Sequence, residues 1–110
     1  METWEYEFDN WSDEDFCLKG VKYDGNTLKY VKNQTEKVCL VAMKQNGLAL
    51  KHVRTQTEKV CLAAIQQNSE AFQFVRNQTE KICSIAVKKN RNFLRLINDK
   101  KILRKLLKKG

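Results

Sequence analysis

Apolar residues fall along this chain in compact clusters with helical spacing. Val38, Cys39, Ala42 and Met43 form one cluster, Val60, Cys61, Ala64 and Ile65 a second, and Ile82, Cys83, Ala86 and Val87 a third. Offsets of one, four and five residues put each cluster on one stripe of an α-helix; a strand would show strict alternation. Each cluster is preceded by Asn33-Gln-Thr-Glu36, Thr55-Gln-Thr-Glu58 or Asn77-Gln-Thr-Glu80. An Asn or Thr three residues before a Glu fits a capping box, which predicts Asn33, Thr55 and Asn77 as helix caps, with Thr35, Thr57 and Thr79 competing for the role. The helices are expected to stop at Asn46, Asn68 and Asn90, and at Asp24 in the first copy, because Asn tolerates the left-handed turn of a helix end. A shorter apolar run follows each long one, at Leu48–Arg54, Glu70–Arg76 and Asn92–Ile97. Two isolated turns are not stable in water, so each short helix must pack on its long partner and on the next copy.

The clusters recur with a period of 22 residues, plainest in Gln34-Thr-Glu-Lys-Val-Cys39, Gln56-Thr-Glu-Lys-Val-Cys61 and Gln78-Thr-Glu-Lys-Ile-Cys83. One step back from Cys39 lands on Cys17, inside a degenerate first copy. Past Ile97 the pattern slips by two residues and resumes as a half-copy, Asp99-Lys-Lys-Ile-Leu-Arg-Lys-Leu-Leu107. The predicted fold is all-α, a short α-solenoid of about four helical-hairpin repeats with a C-terminal capping helix, because such a repeat cannot bury its apolar face alone. Three parts result: an acidic aromatic N-terminal cap or arm at 1–11, the tandem repeats at 12–98, and a basic C-terminal capping helix at 99–110. The absence of Pro and the presence of only 4 Gly among 110 residues agree with a helical chain. No apolar run approaches the roughly 18 residues of a membrane span.

The repeat unit resembles the short tandem repeat of unknown function abundant in mimivirus-like giant viruses, related units of which occur in some amoeba-associated bacteria. The resemblance covers about residues 12–98 and rests on the three near-identical Gln-Thr-Glu-Lys copies. It implies a viral protein in the host cytoplasm or viral factory, or in the virion. It supplies no catalytic residue and no cofactor. The acidic N-terminus does not fit a signal peptide, so the expected setting is not a secreted one.

Charge sharpens the picture. Residues 1–15 hold seven acids and no base, so the remaining 95 residues hold 21 bases and six acids, a net of +15. Lys37, Lys59 and Lys81 recur at one repeat position, and Lys32, Arg54 and Arg76 at another. Stacking would align them into ladders suited to an acidic partner or a phosphate backbone, although a solvated face would look the same. Lys88, Lys89, Arg91, Arg95, Lys100, Lys101, Arg104, Lys105, Lys108 and Lys109 form a denser C-terminal cluster. Ile102, Leu103, Leu106 and Leu107 give its helix an apolar stripe that caps the stack or lies on a membrane or partner. In the head, Trp4, Tyr6, Phe8 and Trp11 are candidate docking aromatics; they equally suit a cap over the end of the core.

Candidate chemistry is sparse. Cys17, Cys39, Cys61 and Cys83 share one repeat position, and helices packed about 8–10 Å apart hold their Cα atoms beyond the roughly 7 Å reach of a disulfide. A ladder of small buried hydrophobes is the expected role. His52 has Tyr30, Phe74 and Leu96 as counterparts, which points to packing. The glycosylation patterns at Asn33 and Asn77 are explained by capping. The expected function is a non-catalytic protein–protein interaction or scaffolding module with a viral or host protein partner. Nucleic-acid packaging or masking is the alternative. No catalytic, cofactor or metal site is expected. Segregated charge also predicts contact between the acidic head and the basic body, within one molecule or, the more natural geometry, head-to-tail between two.

Overall fold

The computed structural model of the chain describes residues 10–108. Among the described residues, five α-helices alternate with four short 3-10 helices, in the order α1 Glu14–Tyr23, η1 Gly25–Tyr30, α2 Glu36–Gln45, η2 Gly47–His52, α3 Glu58–Gln67, η3 Ser69–Phe74, α4 Glu80–Lys89, η4 Arg91–Leu96 and α5 Lys100–Lys108. The all-α, short-solenoid architecture is therefore as expected. Its radius of gyration is 16.2 Å, against about 13 Å for a compact domain of this length.

The caps differ from the capping-box reading. Thr35, Thr57 and Thr79 are the N-caps; their side chains accept the amides of Val38, Val60 and Ile82. Glu36, Glu58 and Glu80 are then the first helical residues and favour the positive end of the helix dipole. Asn33, Thr55 and Asn77 sit two residues too early to cap.

The Asn residues at the other end also act differently from expectation. Asn46, Asn68 and Asn90 are extended, near φ −155, −152 and −155, not left-handed. Each side chain instead accepts an amide two residues on, from Leu48, Glu70 and Asn92. One Asn thereby ends an α-helix and caps the 3-10 helix after it, with no loop between. Asp24 does the same for η1.

The short helices are wound as 3-10 helices of six residues and end at Tyr30, His52, Phe74 and Leu96. Val31, Val53, Val75 and Ile97 follow in extended conformation, so Arg54 and Arg76 lie in the connecting segments and not on the short helices. The tighter winding suits runs this short.

One continuous core results. Val21, Leu28, Val38, Met43, Leu50, Ile65 and Phe72 are buried along it. Ala42, Ala64 and Ala86 are fully buried where the long helices face their neighbours, which lets backbones approach closely. Val87, the counterpart of the fully buried Met43 and Ile65, is only half-buried, because fewer elements follow it. All four cysteines are buried free thiols, as expected from the spacing.

The two ends differ from the middle. At the start, Trp11 packs edge-on against Phe16 at 4.9 Å and against Tyr30 at 5.6 Å. Its carbonyl accepts the Lys32 amide and the Cys17 thiol. Trp11 thus covers the open end where a preceding repeat would stand, and is not a free docking aromatic. Trp4, Tyr6 and Phe8 lie outside the described residues. At the other end Leu106 is buried and Leu107 is 51% exposed, so only part of the stripe on α5 meets the core. Asp99 accepts the amides of Lys101 and Ile102 and opens that helix.

Candidate binding surface

Two sets of basic residues read alike in the sequence, and the structure separates them. Arg54 and Arg76 turn back along the stack. The Arg54 guanidinium donates to the carbonyls of Val31 at 2.8 Å and Lys32 at 2.7 Å. Arg76 donates likewise to Val53 and Arg54. A planar, always charged donor suits two carbonyls left over where a short helix has ended. These arginines staple one repeat to the next and are withdrawn from the candidate binding ladder. Their counterpart Lys32 is exposed.

Glutamines complete the joints. Gln34 Oε1 accepts the Arg54 amide at 2.9 Å, and its Nε2 donates to the His52 carbonyl at 2.9 Å. Gln56 bridges Arg76 and Phe74 in the same way, and Gln78 bridges Asn98 and Leu96. A second clasp joins the Gly25 amide to Gln45 Oε1 and the Gly47 amide to Gln67 Oε1, both at 2.6 Å. Glycine is needed there for closeness: a Cβ on Gly47 would lie 2.3 Å from the Ala64 carbonyl oxygen, and one on Gly25 2.8 Å from that of Ala42. In the sequence Gln34, Gln56 and Gln78 stand out only as part of the 22-residue motif.

The long-helix face is different. A furrow of about 450 Å³ runs between α1 and α2, floored by Leu18 and Val41 and edged by Lys19, Lys22, Lys37 and Asp15. A second, of about 400 Å³, runs between α2 and α3, floored by Leu40, Val41 and Ala63 and edged by Lys37, Lys44 and Lys59. Val41 and Lys37 belong to both, so the two form one apolar trough between lysine banks. The floor residues rest on the core from below and are half-buried. Lys37 and Lys59 were expected in a ladder, and the structure places them here. Lys59 lies 3.6 Å from Glu36, with both side chains well exposed, which makes the pair weak. Lys81 is the exposed counterpart one repeat on.

Lys19, Lys22 and Lys44 escaped the sequence analysis. The signal was present: Lys22, Lys44 and Lys88 recur five residues after each Cys, with Gln66 in the third copy. That offset lies seven residues from Lys37, Lys59 and Lys81, which puts both rows on one helix face with the furrow between.

The C-terminal bases Lys88, Lys89, Arg91, Arg95, Lys100, Lys101, Arg104 and Lys108 are all exposed. Lys105 reaches back to Glu80 at 3.2 Å and helps dock α5 on α4. Lys109 lies outside the described residues.

The thiols and the imidazole are shifted by burial. Burial raises all four Cys above their ordinary value of 9.0, reaching about 11 for Cys61 and Cys83. Such thiols are poor nucleophiles at neutral pH. His52 is lowered, first by burial and then by Lys51 and Lys29. Among the described residues no three His, Cys, Asp or Glu side chains gather as a metal site. Among the same residues, no helix is long and apolar enough to cross a membrane.

No curated protein and no solved structure matches the chain. Residues 13–57, from the cap of α1 to the cap of α3 and thus two full repeats, are similar to a family described as Domain of unknown function (DUF4116).

Proposed function

We propose that this chain is a non-catalytic protein-interaction module whose working surface is the lysine-banked trough along its long helices. The observation that carries the reading is the division of labour among the bases. Arg54 and Arg76 are consumed in holding the stack together, whereas Lys22, Lys37 and Lys44 flank apolar floor that the chain's described residues leave half-buried. Aliphatic floor between cationic edges suits an acidic peptide with apolar side chains better than a bare phosphate backbone. The four cysteines and the lone histidine are placed as packing groups, which supports action by contact. The giant-virus setting implied by the repeat's resemblance would make the partner a viral or host protein of the cytoplasm or viral factory, or a component of the virion.

Nucleic-acid packaging or masking is the second reading, favoured by the exposed bases on α4, η4 and α5. Affinity capture from infected amoebal lysate, with and without nuclease, separates the two. Capture that survives nuclease and is lost in Lys22→Glu/Lys37→Glu/Lys44→Glu supports the protein-binding trough. Capture abolished by nuclease, with affinity falling steeply with salt, supports nucleic acid.

A further inference from the structure

We propose that the trough takes an extended acidic–aromatic peptide, and that its occupant in the free protein is the chain's own residues 1–9. The inference rests on the α-face being a peptide-binding surface and names the first ligand for it. Three observations lead there.

The first is chemical complementarity. The furrow between α1 and α2 offers Leu18 and Val41 as floor and Lys19, Lys22 and Lys37, three bases against the single acid Asp15, as edges. Residues 4–9 read Trp-Glu-Tyr-Glu-Phe-Asp. In an extended segment alternate side chains point to opposite faces, so the aromatics share one side and the carboxylates the other. Aromatic rings laid on the floor bring the carboxylates level with ammonium groups, because lysine stems run along apolar surface and keep their charge at the rim.

The second is attachment. The described chain begins at Asn10 beside Trp11, which is pinned over Gly20 on α1 and against Phe16. The segment therefore starts beside α1, one wall of the furrow, on its Phe16–Gly20 face, and passes round that helix to reach Leu18 and Lys22. Nine residues reach at most about 30 Å, and α1 is about 15 Å long. A tether this short gives an effective concentration in the millimolar range, which favours the chain's own furrow over that of a second molecule.

The third is charge. Glu2, Glu5, Glu7 and Asp9 carry no neighbouring base in residues 1–9, and Lys19 and Lys22 stand on one bank of the furrow with Lys37 on the other. Docking relieves like-charge repulsion on both sides.

The test uses the full chain. Methyl NMR of Leu18 and Val41 is compared between the native protein and Trp4→Ser/Tyr6→Ser/Phe8→Ser, which keeps length and charge and leaves the repeats untouched. Ring-current displacement of both methyl sets in the native chain is expected. It should be lost in the variant and weakened at about 0.5 M salt, where the Debye length falls below about 5 Å. Ile82, deep in the stack, should not move. Lys22→Glu/Lys37→Glu should release the arm, and adding Glu5→Lys/Glu7→Lys should restore it. Unchanged Leu18 and Val41 signals in the aromatic variant would overturn the proposal. Displacement that fades on dilution, together with a falling sedimentation coefficient, would also overturn it and assign the contact to head-to-tail association. Lysate capture that persists while the methyl signals stay unchanged rejects the arm and leaves the binding trough standing.

Discussion

The first two joints of the stack and the third are built from the same repeat but tied differently. Between the first three repeats, Gly25 and Gly47 let the next long helix come close, Gln45 and Gln67 accept their amides, and Arg54 and Arg76 staple the connecting segments. At the third joint Ser69 stands in the glycine position, Lys89 in the glutamine position and Asn98 in the arginine position. Of these ties the third joint keeps the Gln78 bridge. It adds aromatic packing of Phe72 on Phe93 at 5.6 Å and a Thr79–Glu58 hydrogen bond of 2.9 Å, which Thr35 and Glu14 also make at the first joint. Close approach with glutamine and arginine ties to backbone groups thus marks the first two joints, and the Phe72–Phe93 contact with the Gln78 bridge marks the third.

The largest expected effect tests the close approach. Gly47→Ala should destabilise the chain by about 2–3 kcal/mol, because its Cβ would meet backbone and not a movable side chain. Ser69→Ala should stay within about 0.5 kcal/mol, since a Cβ is already accommodated there. Urea unfolding of both variants measures the contrast, and equal effects would erase it.

The staples come next. Arg54→Ala or Arg76→Ala should cost about 1–2 kcal/mol, through carbonyls left without a donor. Arg54→Lys should recover little, because a single ammonium does not reproduce the guanidinium fork. Asn98→Ala should cost less than either arginine change. Building the clasp into the third joint should give a smaller gain. The pair Ser69→Gly/Lys89→Gln is expected to show a coupling of about 0.5–1 kcal/mol in a double-mutant cycle, with slower amide exchange along α4.

Reading the sequence alone recovered the period, the two helices per copy, the buried stripe and the free cysteine ladder, because all of these follow from apolar spacing. It misplaced the polar residues. Thr35 and Asn33 are both good cap residues two positions apart, and only the path of the preceding Val31 segment decides between them. Arg54 and Lys37 both recur every 22 residues, so periodicity alone does not tell a staple from a surface charge. What separates them is that the Val31 and Lys32 carbonyls, just past the preceding short helix, need the donors that Arg54 reaches back to supply, and that need is visible only once that helix is seen to end at Tyr30.

The smallest effects concern titration and local opening. Cys61 and Cys83 are equally buried and both pushed up to about 11. Any difference in their alkylation rates at pH 8 therefore reports opening of the joints, and Cys83 should react faster. In the unfolded chain the thiols ionise near 9, before those of the folded chain, so stability should fall as pH rises from about 9 to about 11. His52 acts at the other end of the scale. Its lowered value means the unfolded chain takes up the proton first, so stability should fall as pH drops below 6.5. His52→Phe, the residue of the next copy, should remove that acid dependence.

The distance along the chain bridged by the inter-repeat ties has a consequence for how such a protein can change in length. The Gln, Gly and Arg ties join residues 18 to 23 positions apart, so each is complete within about one period and its neighbour. A cassette of 22 residues duplicated in the middle of the gene would bring its own clasp, bridge and staple, and would disturb none of the others. Trp11 at one end and Phe93 with Leu106 at the other cannot be copied inward so freely, since each occupies space that an internal repeat gives to its neighbour. The aromatic ends act as punctuation, and the number of sentences between them is left open to duplication and loss.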